Sequence, residues 1–292
     1  MANSITTFDK YIAMLDEVYK AGAKTSILDG DQSLVRMGAN TGEIMIPKMT
    51  LQGLANYGRS SGTGYVQGDV SLTYETVAFN YDRARKFNVE AMDNEETAGI
   101  AFGRLAGEFL RTKVTPEVDA FRFAKYAGLA GDVATAGTIS TGANVLAALN
   151  TASASMDENE VPAEQRILFI TPTLYQLAIA ENLTTNKAVL SQFSSVIKVP
   201  QSRFYTAITL YDGTTSSQEN GGFIKNTTTG KDINFMIIHK SAVLQYPKHV
   251  VNKIISPEIN QTDDAWMFFF REYGLADVYD NKTKGIYLHA KA

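Results

Sequence analysis

The chain of 292 residues is 45% hydrophobic and 20% charged, so it is long enough for one large or two modest domains with their own cores. Its formal net charge of −4 argues against a nucleic-acid surface built on bulk positive charge. Because it has no cysteine, disulfides and thiolate metal sites are excluded, which suits a reducing compartment. It has no run of 18 apolar residues and no apolar signal-peptide core. We therefore expect that it does not insert into a membrane and that it is made and used in the cytoplasm of a cell.

The N-terminal part of the chain predicts one helix followed by short strands. Residues 7–20 carry an apolar stripe at helical spacing after a Ser/Thr cluster: Phe8, Ile12, Leu15 and Tyr19. Glycines then recur up to position 53, and "EIMIPKM" at 43–49 is typical of a short strand.

The segment from Val70 to Phe87 predicts an unusually long extended ribbon. It contains no proline, glycine or turn dipeptide. At about 18 residues it exceeds the usual strand length of about 5–6 roughly threefold. The alternation of apolar residues slips by one position between Tyr74 and Val77, so the apolar side changes face unless a bulge intervenes. Such a ribbon is natural if different neighbours cover different parts of it.

A long helix is predicted after the ribbon. Asp93 followed by Glu96 has the spacing of a capping box, so we expect a helix from Asn94 to about Thr112. Three glycines four residues apart would form one stripe along it: Gly99, Gly103 and Gly107. Each glycine costs about 1 kcal/mol relative to alanine, so we expect another backbone to approach this stripe closely.

The remaining chain predicts a second helix and then a separate α/β region. Thr115 followed by Pro116 predicts an N-cap with proline at the first helical position. The small-residue stretch at 132–143 predicts a domain boundary, and the loop at 211–223, "YDGTTSSQENGGF", is predicted to be exposed and tolerant of change. Helices and strands are predicted in the rest: helices at 144–161 and 172–183, and strands at 166–171, 195–200, 233–247 and 265–278.

No catalytic, cofactor or metal site is predicted. The three histidines lie in the last fifth of the chain, and none has metal-ligand spacing to another: His239, His249 and His289. His239, inside "FMIIHK", is better interpreted as a strand residue with a satisfied hydrogen bond. Two glycine-containing stretches, at 62–68 and 226–232, miss the dinucleotide and phosphate-loop patterns and indicate turns.

Charged residues near the ribbon are the candidate contacts between subunits. They lie in its glycine-serine loop, at its base and at the start of the next helix: Arg59, Arg83, Arg85, Lys86, Asp93, Glu95 and Glu96. A solvated charged face is one interpretation of the basic and acidic groups. The other is a contact between the basic residues of one subunit and the carboxylates of its neighbour. Exposed ion pairs contribute only about 0–1 kcal/mol each, but a closed assembly repeats the contact many times.

The order of these parts resembles one protein family. A glycine-tipped hairpin is followed by "NYDRARKFNVEAMDNEET" at 80–97, "VTPEVDAFRFAKYAG" at 114–128, an α/β region and "AWMFFFREYGLADVY" at 265–279. This order is similar to that of the major capsid protein of tailed bacteriophages with the Hong Kong 97 fold, which is an α+β fold. The resemblance is most specific over residues 56–128.

The resemblance implies a domain order. It implies an N-terminal arm, an extended loop lying across an adjacent subunit, a peripheral domain with a spine helix kinked near Pro116, and an axial α/β domain. The corresponding residues are 1–44 for the arm, 45–88 for the loop, 89–138 with 250–280 for the peripheral domain, and 139–249 with 281–292 for the axial domain.

The resemblance also implies a structural function without enzymatic activity, cofactor or metal. The chain would assemble with itself, as pentamers and hexamers, into an icosahedral shell around phage double-stranded DNA. Assembly would take place in the bacterial cytoplasm, and the shell would be the capsid of the virion. A portal and a separate scaffolding protein would be its other partners, and the DNA would be enclosed without sequence-specific binding. Lys48 lies near the loop, but no cross-linking partner matches by motif, so covalent cross-linking is not predicted.

Two alternatives remain open from the sequence. An encapsulin-type nanocompartment would use the same fold to enclose a protein cargo. A carbohydrate-active enzyme or lectin with a β-rich body would belong to another class, and an enzyme of this kind would need two inward carboxylates about 5–10 Å apart in a cleft.

Overall fold

The chain divides into two compact units, Asp31–Asn80 and the remainder, Met1–Gly30 with Tyr81–Ala292. The computed structural model describes residues 22–30, 36–37, 42–59, 64–96, 104–181 and 183–292. The helix predicted at residues 7–20 lies outside the described residues.

The smaller unit is a hairpin with a third, short strand. Its strands are β1 (Arg36–Met37), β2 (Glu43–Leu51) and β3 (Val70–Ala78), in the sheet order β1-β2-β3. β2 and β3 pair antiparallel without a register shift, from Glu43 opposite Ala78 to Leu51 opposite Val70. The strand predicted at 43–49 is therefore confirmed.

Ten further strands and five α-helical elements are described in the larger unit, besides four short 3-10 helices. The strands are β4 (Tyr81–Glu90), β5 (Asp132–Val133), β6 (Arg166–Ile170), β7 (Ser195–Lys198), β8 (Ile208–Leu210), β9 (Phe223–Lys225), β10 (Ile233–His239), β11 (Val243–Ile255), β12 (Ala265–Val278) and β13 (Ile286–Ala290). The helical elements are α1 (Ala91–Glu96), α2 (residues 105–128), α3 (Gly142–Glu158), α4 (Pro172–Ala180) and α5 (Leu183–Leu190).

The predicted ribbon is two strands rather than one. β3 ends at Ala78, the chain leaves the extended ladder at Phe79 and Asn80, and β4 then pairs with β12 instead of β2. The prediction of one uninterrupted strand was wrong because each half has its own partner strand in a different sheet. The predicted change of face is confirmed, since Tyr74 and Val77 are three residues apart in a strand paired without a bulge.

A five-stranded sheet forms the centre of the larger unit. Its order is β5-β13-β10-β6-β7, with antiparallel pairs in the middle and parallel pairs at both edges. Every residue of β6 is buried, as predicted, and its side chains alternate between two cores. Ile167 and Phe169 pack in the core that contains Phe123 of α2, whereas Leu168 and Ile170 pack in the core built with α3 and α4.

A second sheet, of order β11-β12-β4, packs against the first half of α2. The aromatic ring of Phe109 lies 4.8 Å from that of Phe87 on β4, measured between ring centroids. It lies 6.3 Å from the ring of Phe268 and 5.9 Å from that of Phe270, both on β12. One face of this antiparallel sheet is therefore covered by α2.

The start of α1 differs from the predicted capping box. The helix begins at Ala91, and the side-chain carboxylate of Glu90 accepts hydrogen bonds from the backbone N–H groups of Met92 and Asp93, at 2.9 and 3.1 Å. Glu90 therefore caps the helix, and Asp93 lies inside the first turn. The predicted cap was wrong because a strand leads directly into the helix and places a carboxylate three residues earlier.

α2 remains helical through the position where an N-cap was predicted. The α-helical segments Leu105–Phe109 and Thr115–Gly128 are joined by a π-helical turn, Leu110–Val114. Thr115 has helical dihedral angles, and its backbone N–H donates to the carbonyl of Leu110 five residues earlier. Pro116 cannot donate a backbone hydrogen bond and would crowd the carbonyl four residues before it, so a widened turn accommodates the ring without ending the helix.

The predicted glycine stripe is not explained within the chain at Gly107. Among the described residues, no heavy atom lies within 4 Å of the position that its Cβ would occupy, so no described backbone approaches it. Gly99 and Gly103 lie outside the described residues.

A buried ionic group fastens residues 22–30 to α2. Asp119 is fully buried and its carboxylate accepts four kinds of hydrogen bond: from the backbone N–H of Lys24 (2.9 Å), the N–H and hydroxyl of Thr25 (3.1 and 2.8 Å) and the guanidinium of Arg203 (2.8 Å). Arg203 is only 2% exposed, so the ion pair with this carboxylate stabilises its buried positive charge.

We expect the substitution Asp119→Ala to lower the free energy of unfolding by about 3–5 kcal/mol, because it breaks a buried ion pair with the guanidinium of Arg203. Urea unfolding followed by circular dichroism measures the change. The matched control is Asp82→Ala, which removes an exposed ion pair with Arg271 and should cost about 0–1 kcal/mol. Equal losses in the two variants would contradict this account.

Candidate assembly surfaces

One face of the hairpin carries apolar side chains that its own unit leaves exposed. The register of β2 and β3 places three apolar pairs side by side: Pro47 with Tyr74, Met49 with Leu72, and Leu51 with Val70. The four side chains of the last two pairs are each 52–67% exposed. We call the face formed by these six residues the apolar hairpin face.

The opposite face of the same hairpin is polar towards its distal end. There Lys48 pairs with Thr73, and Thr50 with Ser71. The apolar side chains are therefore segregated to one side by the two-residue period of the strands.

The connection between the two strands extends the apolar surface. Leu54 is fully exposed and Tyr65 is 91% exposed. The rings of Tyr57 and Tyr65 meet edge to face at 5.0 Å between centroids, beside a bridge between Gly58 and Gly64. Arg59 lies exposed in this connection.

The exposed apolar residues of the chain are concentrated in this hairpin. Of 18 large hydrophobic residues that are strongly exposed within the described ranges, nine lie between positions 49 and 74. Scattered exposed hydrophobic residues are normal, but a contiguous apolar patch marks an interaction surface.

The basic residues of β4 do not form one surface. Arg83 and Arg85 face the side of the sheet that α2 covers. The guanidinium of Arg83 contacts the carboxylate of Glu117 at 2.7 Å, and that of Arg85 donates to the carbonyl of Glu219 at 3.2 Å. Lys86 is on the other face, with its ammonium nitrogen 5.6 Å from the ring centroid of Phe269. The alternation of side chains along a strand predicts this separation.

The two arginines fasten the loop at residues 211–222 to β4. Arg85 donates to the carbonyl of Glu219, and Arg83 donates to the carbonyl of Gly222 at 3.4 Å. Gly213 has a φ of +80°, and a Cβ there would lie 2.8 Å from the Arg85 guanidinium. The loop is exposed, as predicted, but the positive φ at Gly213 would strain any residue with a side chain at that position.

Asp212 shapes the same loop locally. Its carboxylate accepts hydrogen bonds from the backbone N–H groups of Thr214 and Thr215 at 2.8 Å and from the Thr215 hydroxyl. These bonds, with that of the hydroxyl first, lower the pKa of Asp212 to about 2. The loop, β4 and α2 together border a groove of about 720 Å³ with an aromatic wall formed by Phe87, Phe109 and Phe270.

The acidic candidates lie at the end of the sheet, on α1. Glu95 and Glu96 are exposed and Asp93 is half-buried. The seven predicted contact residues are thus distributed over the hairpin connection, both faces of β4 and α1.

A pair of buried carboxylates between the sheet and α2 was not anticipated from the sequence. Glu117 and Glu272 are 8% and 9% exposed, and Glu117 also accepts from the Tyr81 hydroxyl at 3.3 Å. Burial is the main cause that raises the pKa of Glu272, with further contributions from Glu117 and Asp29 and an opposing one from Arg122. The period-two pattern of β12 places position 272 on the covered face, which is the one signal that sequence offers.

Two other features of the described part of the chain bear on its class. His239 lies in β10 and its Nδ1 accepts from the backbone N–H of Ser241 at 3.3 Å, so its predicted role as a hydrogen-bonded strand residue is confirmed. Among the described helices, none is long and apolar enough to span a membrane.

Comparison with solved structures identifies the fold. The chain is similar to a subunit of the mature capsid of bacteriophage PhiM1, with a TM-score of 0.69 at 9% identity over 98% of this chain and 92% of that chain. The chain has the fold of phage capsid subunits. It is also similar to a structure from Mycobacterium phage Che8 (TM-score 0.66, 11% identity, 97% and 98% covered) and to the capsid of Staphylococcus phage Andhra (0.61, 12%, 98% and 88%).

The comparison confirms the predicted α+β class and the resemblance to tailed-phage capsid proteins at the level of the fold. No protein-family model matches the chain, and no curated protein matches its sequence. Identities of 9–12% over nearly the whole chain mean that the fold is shared while most side chains differ.

We expect the substitution Arg85→Ala to release the loop at 211–222, since it removes the hydrogen bond to the Glu219 carbonyl. Cleavage after Glu219 by a glutamate-specific protease, followed by mass spectrometry, should become several-fold faster. Lys86→Ala is the matched control, because the neighbouring side chain faces away from the loop. Unchanged cleavage in the Arg85 variant would show that the loop is held by other contacts.

We expect Glu272→Gln to raise the free energy of unfolding at neutral pH. Because the folded state raises the pKa of this carboxyl, the folded chain binds more protons than the unfolded chain, and stability falls as pH rises through the folded pKa. The gain from the substitution should therefore be largest at pH 7–8 and disappear near the ordinary glutamate pKa of about 4.3. Thermal unfolding of both proteins across this range measures it; a gain independent of pH would contradict the mechanism.

Proposed function

We propose that this chain is the coat subunit of a tailed phage, which assembles with copies of itself into a closed icosahedral shell around double-stranded DNA. The apolar hairpin face is the observation that carries this proposal. Its apolar side chains are about half to two-thirds exposed among the described residues, and we infer that a second copy of the chain covers them.

The finer assignment follows the Hong Kong 97 arrangement. We infer that the hairpin belongs to the extended loop predicted at residues 45–88. Its part before β4 would lie across an adjacent subunit, because β4 pairs with β12 of the same chain. α2 would be the spine helix of a peripheral domain, residues 89–138 with 250–280, which also contains β12 and the end of β11. Residues 139–249 with 281–292, which contain α3, α4 and four strands of the five-stranded sheet, would form the axial domain around the symmetry axes. The π-helical turn beside Pro116 supports the inferred kink of the spine.

Assembly energetics would then be the mechanism. Fully burying a large apolar side chain contributes about 1.5–3 kcal/mol. Covering the nine exposed apolar side chains between positions 49 and 74, most of which are partly buried already, therefore gives a contribution on the order of 10 kcal/mol per subunit before the cost of association. Closed symmetry repeats each contact and adds weak contacts into a stable shell. A structural role without enzymatic activity follows from this mechanism.

The remaining partners are inferred from the same role. A portal and a separate scaffolding protein would complete the particle, which would assemble in the bacterial cytoplasm and persist as the virion capsid. Since the chain has a net charge of −4, it would enclose packaged DNA without gripping it in a sequence-specific manner.

Negative-stain electron microscopy and sedimentation velocity on the recombinant chain, at several salt concentrations, test the proposal. Shells, tubes, or pentamers and hexamers are the expected species. A strictly monomeric protein whose hairpin resists proteases would mean that the apolar face is satisfied within one chain, and would overturn the proposal.

We expect the double substitution Leu51→Thr and Leu72→Thr to abolish stable assemblies while leaving a folded, soluble subunit. Threonine keeps the strand propensity but removes most of the apolar area from the proposed contact. The control, Lys48→Thr with Ser71→Thr, changes the opposite face of the same hairpin and should assemble normally. Sedimentation velocity compares them, and normal shells from the first variant would refute the role given to the apolar hairpin face.

A further inference from the structure

The sheet β11-β12-β4 has a second face, which α2 does not cover. Its register places Lys86 and Lys253 on either side of Phe269, in one row across the three strands. Since neighbouring strands lie about 4.8 Å apart, the two lysines are carried by backbones about 10 Å apart. Both are exposed, and the ring beneath Lys86 holds its ammonium group over the sheet.

Two more cations occupy the same face. Lys248 and Arg271 lie over the ring of Tyr273, at 5.6 and 6.0 Å from its centroid. Arg271 also forms a two-point contact with Asp82, at 2.7 and 2.9 Å. We call these four residues, Lys86, Lys248, Lys253 and Arg271, the basic face.

The end of the same sheet carries the opposite charge. α1 and the loop at residues 256–264 together contain six carboxylates and no lysine or arginine: Asp93, Glu95, Glu96, Glu258, Asp263 and Asp264. The two segments are joined, because the backbone N–H of Ala91 donates to the carbonyl of Asp264 at 3.0 Å. We call this set the acidic end.

We propose that the basic face of one copy binds the acidic end of another. The chain has a net charge of −4, so two copies repel each other on average, and the basic face is a place where that repulsion becomes attraction. Five of the six carboxylates are exposed, and so are the two lysines of the row. Complementary charge of this kind fixes the orientation and register of a contact more than its strength.

The geometry makes the contact directional. The basic face and the acidic end lie at different places on one sheet. A copy whose acidic end is bound to a second copy can therefore still bind the acidic end of a third copy through its own basic face. A contact of this heterologous type closes into rings when the rotation allows it. The inference rests on the proposed function, because it takes another copy of the chain as the partner.

Charge reversal tests the pairing. One variant carries Lys86→Glu with Lys253→Glu, a second carries Glu95→Lys with Glu96→Lys, and a third combines all four substitutions. Lys187→Glu with Lys240→Glu is the control, since it makes the same change of charge at exposed positions elsewhere. Circular dichroism confirms folding, and sedimentation velocity at about 0.1 M salt, where the Debye length is about 10 Å, gives the assembled fraction.

The first two variants should each lower the assembled fraction about tenfold or more, because a contact repeated in every subunit multiplies a small loss. The combined variant should regain assembly, and the control should keep it. If the unmodified chain assembles and the reversed variants assemble equally well, the charge contact is overturned while the proposed function stands. The contact is also overturned if the combined variant fails to regain assembly, whereas an unmodified chain that never assembles overturns the proposed function itself.

Discussion

The aromatic packing of α2 is the constraint on which the larger unit depends. Near its start, Phe109 packs against three phenylalanines of the β11-β12-β4 sheet. Near its end, Phe123 meets Phe169 of the five-stranded sheet at 5.2 Å and Phe204 at 4.9 Å. One helix therefore serves two sheets, and the π-helical turn lies between the two sets of contacts. A helix that ended before Pro116 would lose either the contacts of Phe109 or those of Phe123. The widened turn lets the helix continue past Pro116, so it keeps both sets of contacts.

The same helix decides which charges are available for contacts with other molecules. Because α2 covers one face of β4, the odd-numbered side chains Arg83 and Arg85 are used within the chain, on Glu117 and on the loop at 211–222. The even-numbered Lys86 remains on the open face. A basic cluster that is continuous in sequence is thus divided by the two-residue period of a strand, and only one part of it can contact a neighbour through the uncovered face.

Local sequence patterns correctly predicted the elements whose boundaries do not depend on pairing with distant parts of the chain. The buried strand β6 and the helix α3 could be obtained from the sequence because their local patterns are clear. The class of the fold came instead from the resemblance in the order of the elements. The break at Phe79 and Asn80 could not, since it depends on β3 and β4 having partners far away in the chain. Thr115 and Pro116 have the local chemistry of a helix start, and only the aromatic contacts on both sides show why the helix continues. The cap by Glu90 was missed because a glutamate at the end of a strand has no signature distinguishing it from a surface residue. For the candidate contact residues, the sequence showed which side chains are charged. It did not show which face of the sheet each side chain lies on.

In the proposed assembly, the hairpin and the β11-β12-β4 sheet would make different contributions: the hairpin to the free energy of association, and the sheet to the orientation of neighbouring copies. Apolar burial is non-directional and grows with area, so the apolar hairpin face would supply most of the free energy of association but little preference for one orientation. Charged groups that stay near the surface contribute little energy, yet opposing rows of lysines and carboxylates penalise a misplaced neighbour by like-charge contact. A shell needs both properties, because its contacts must be weak enough individually to correct errors and specific enough to close. In the proposed shell, the exposed leucines and valines of the hairpin would supply affinity and the lysines flanking Phe269 would supply orientation. That role would account for a basic face on a chain of net negative charge.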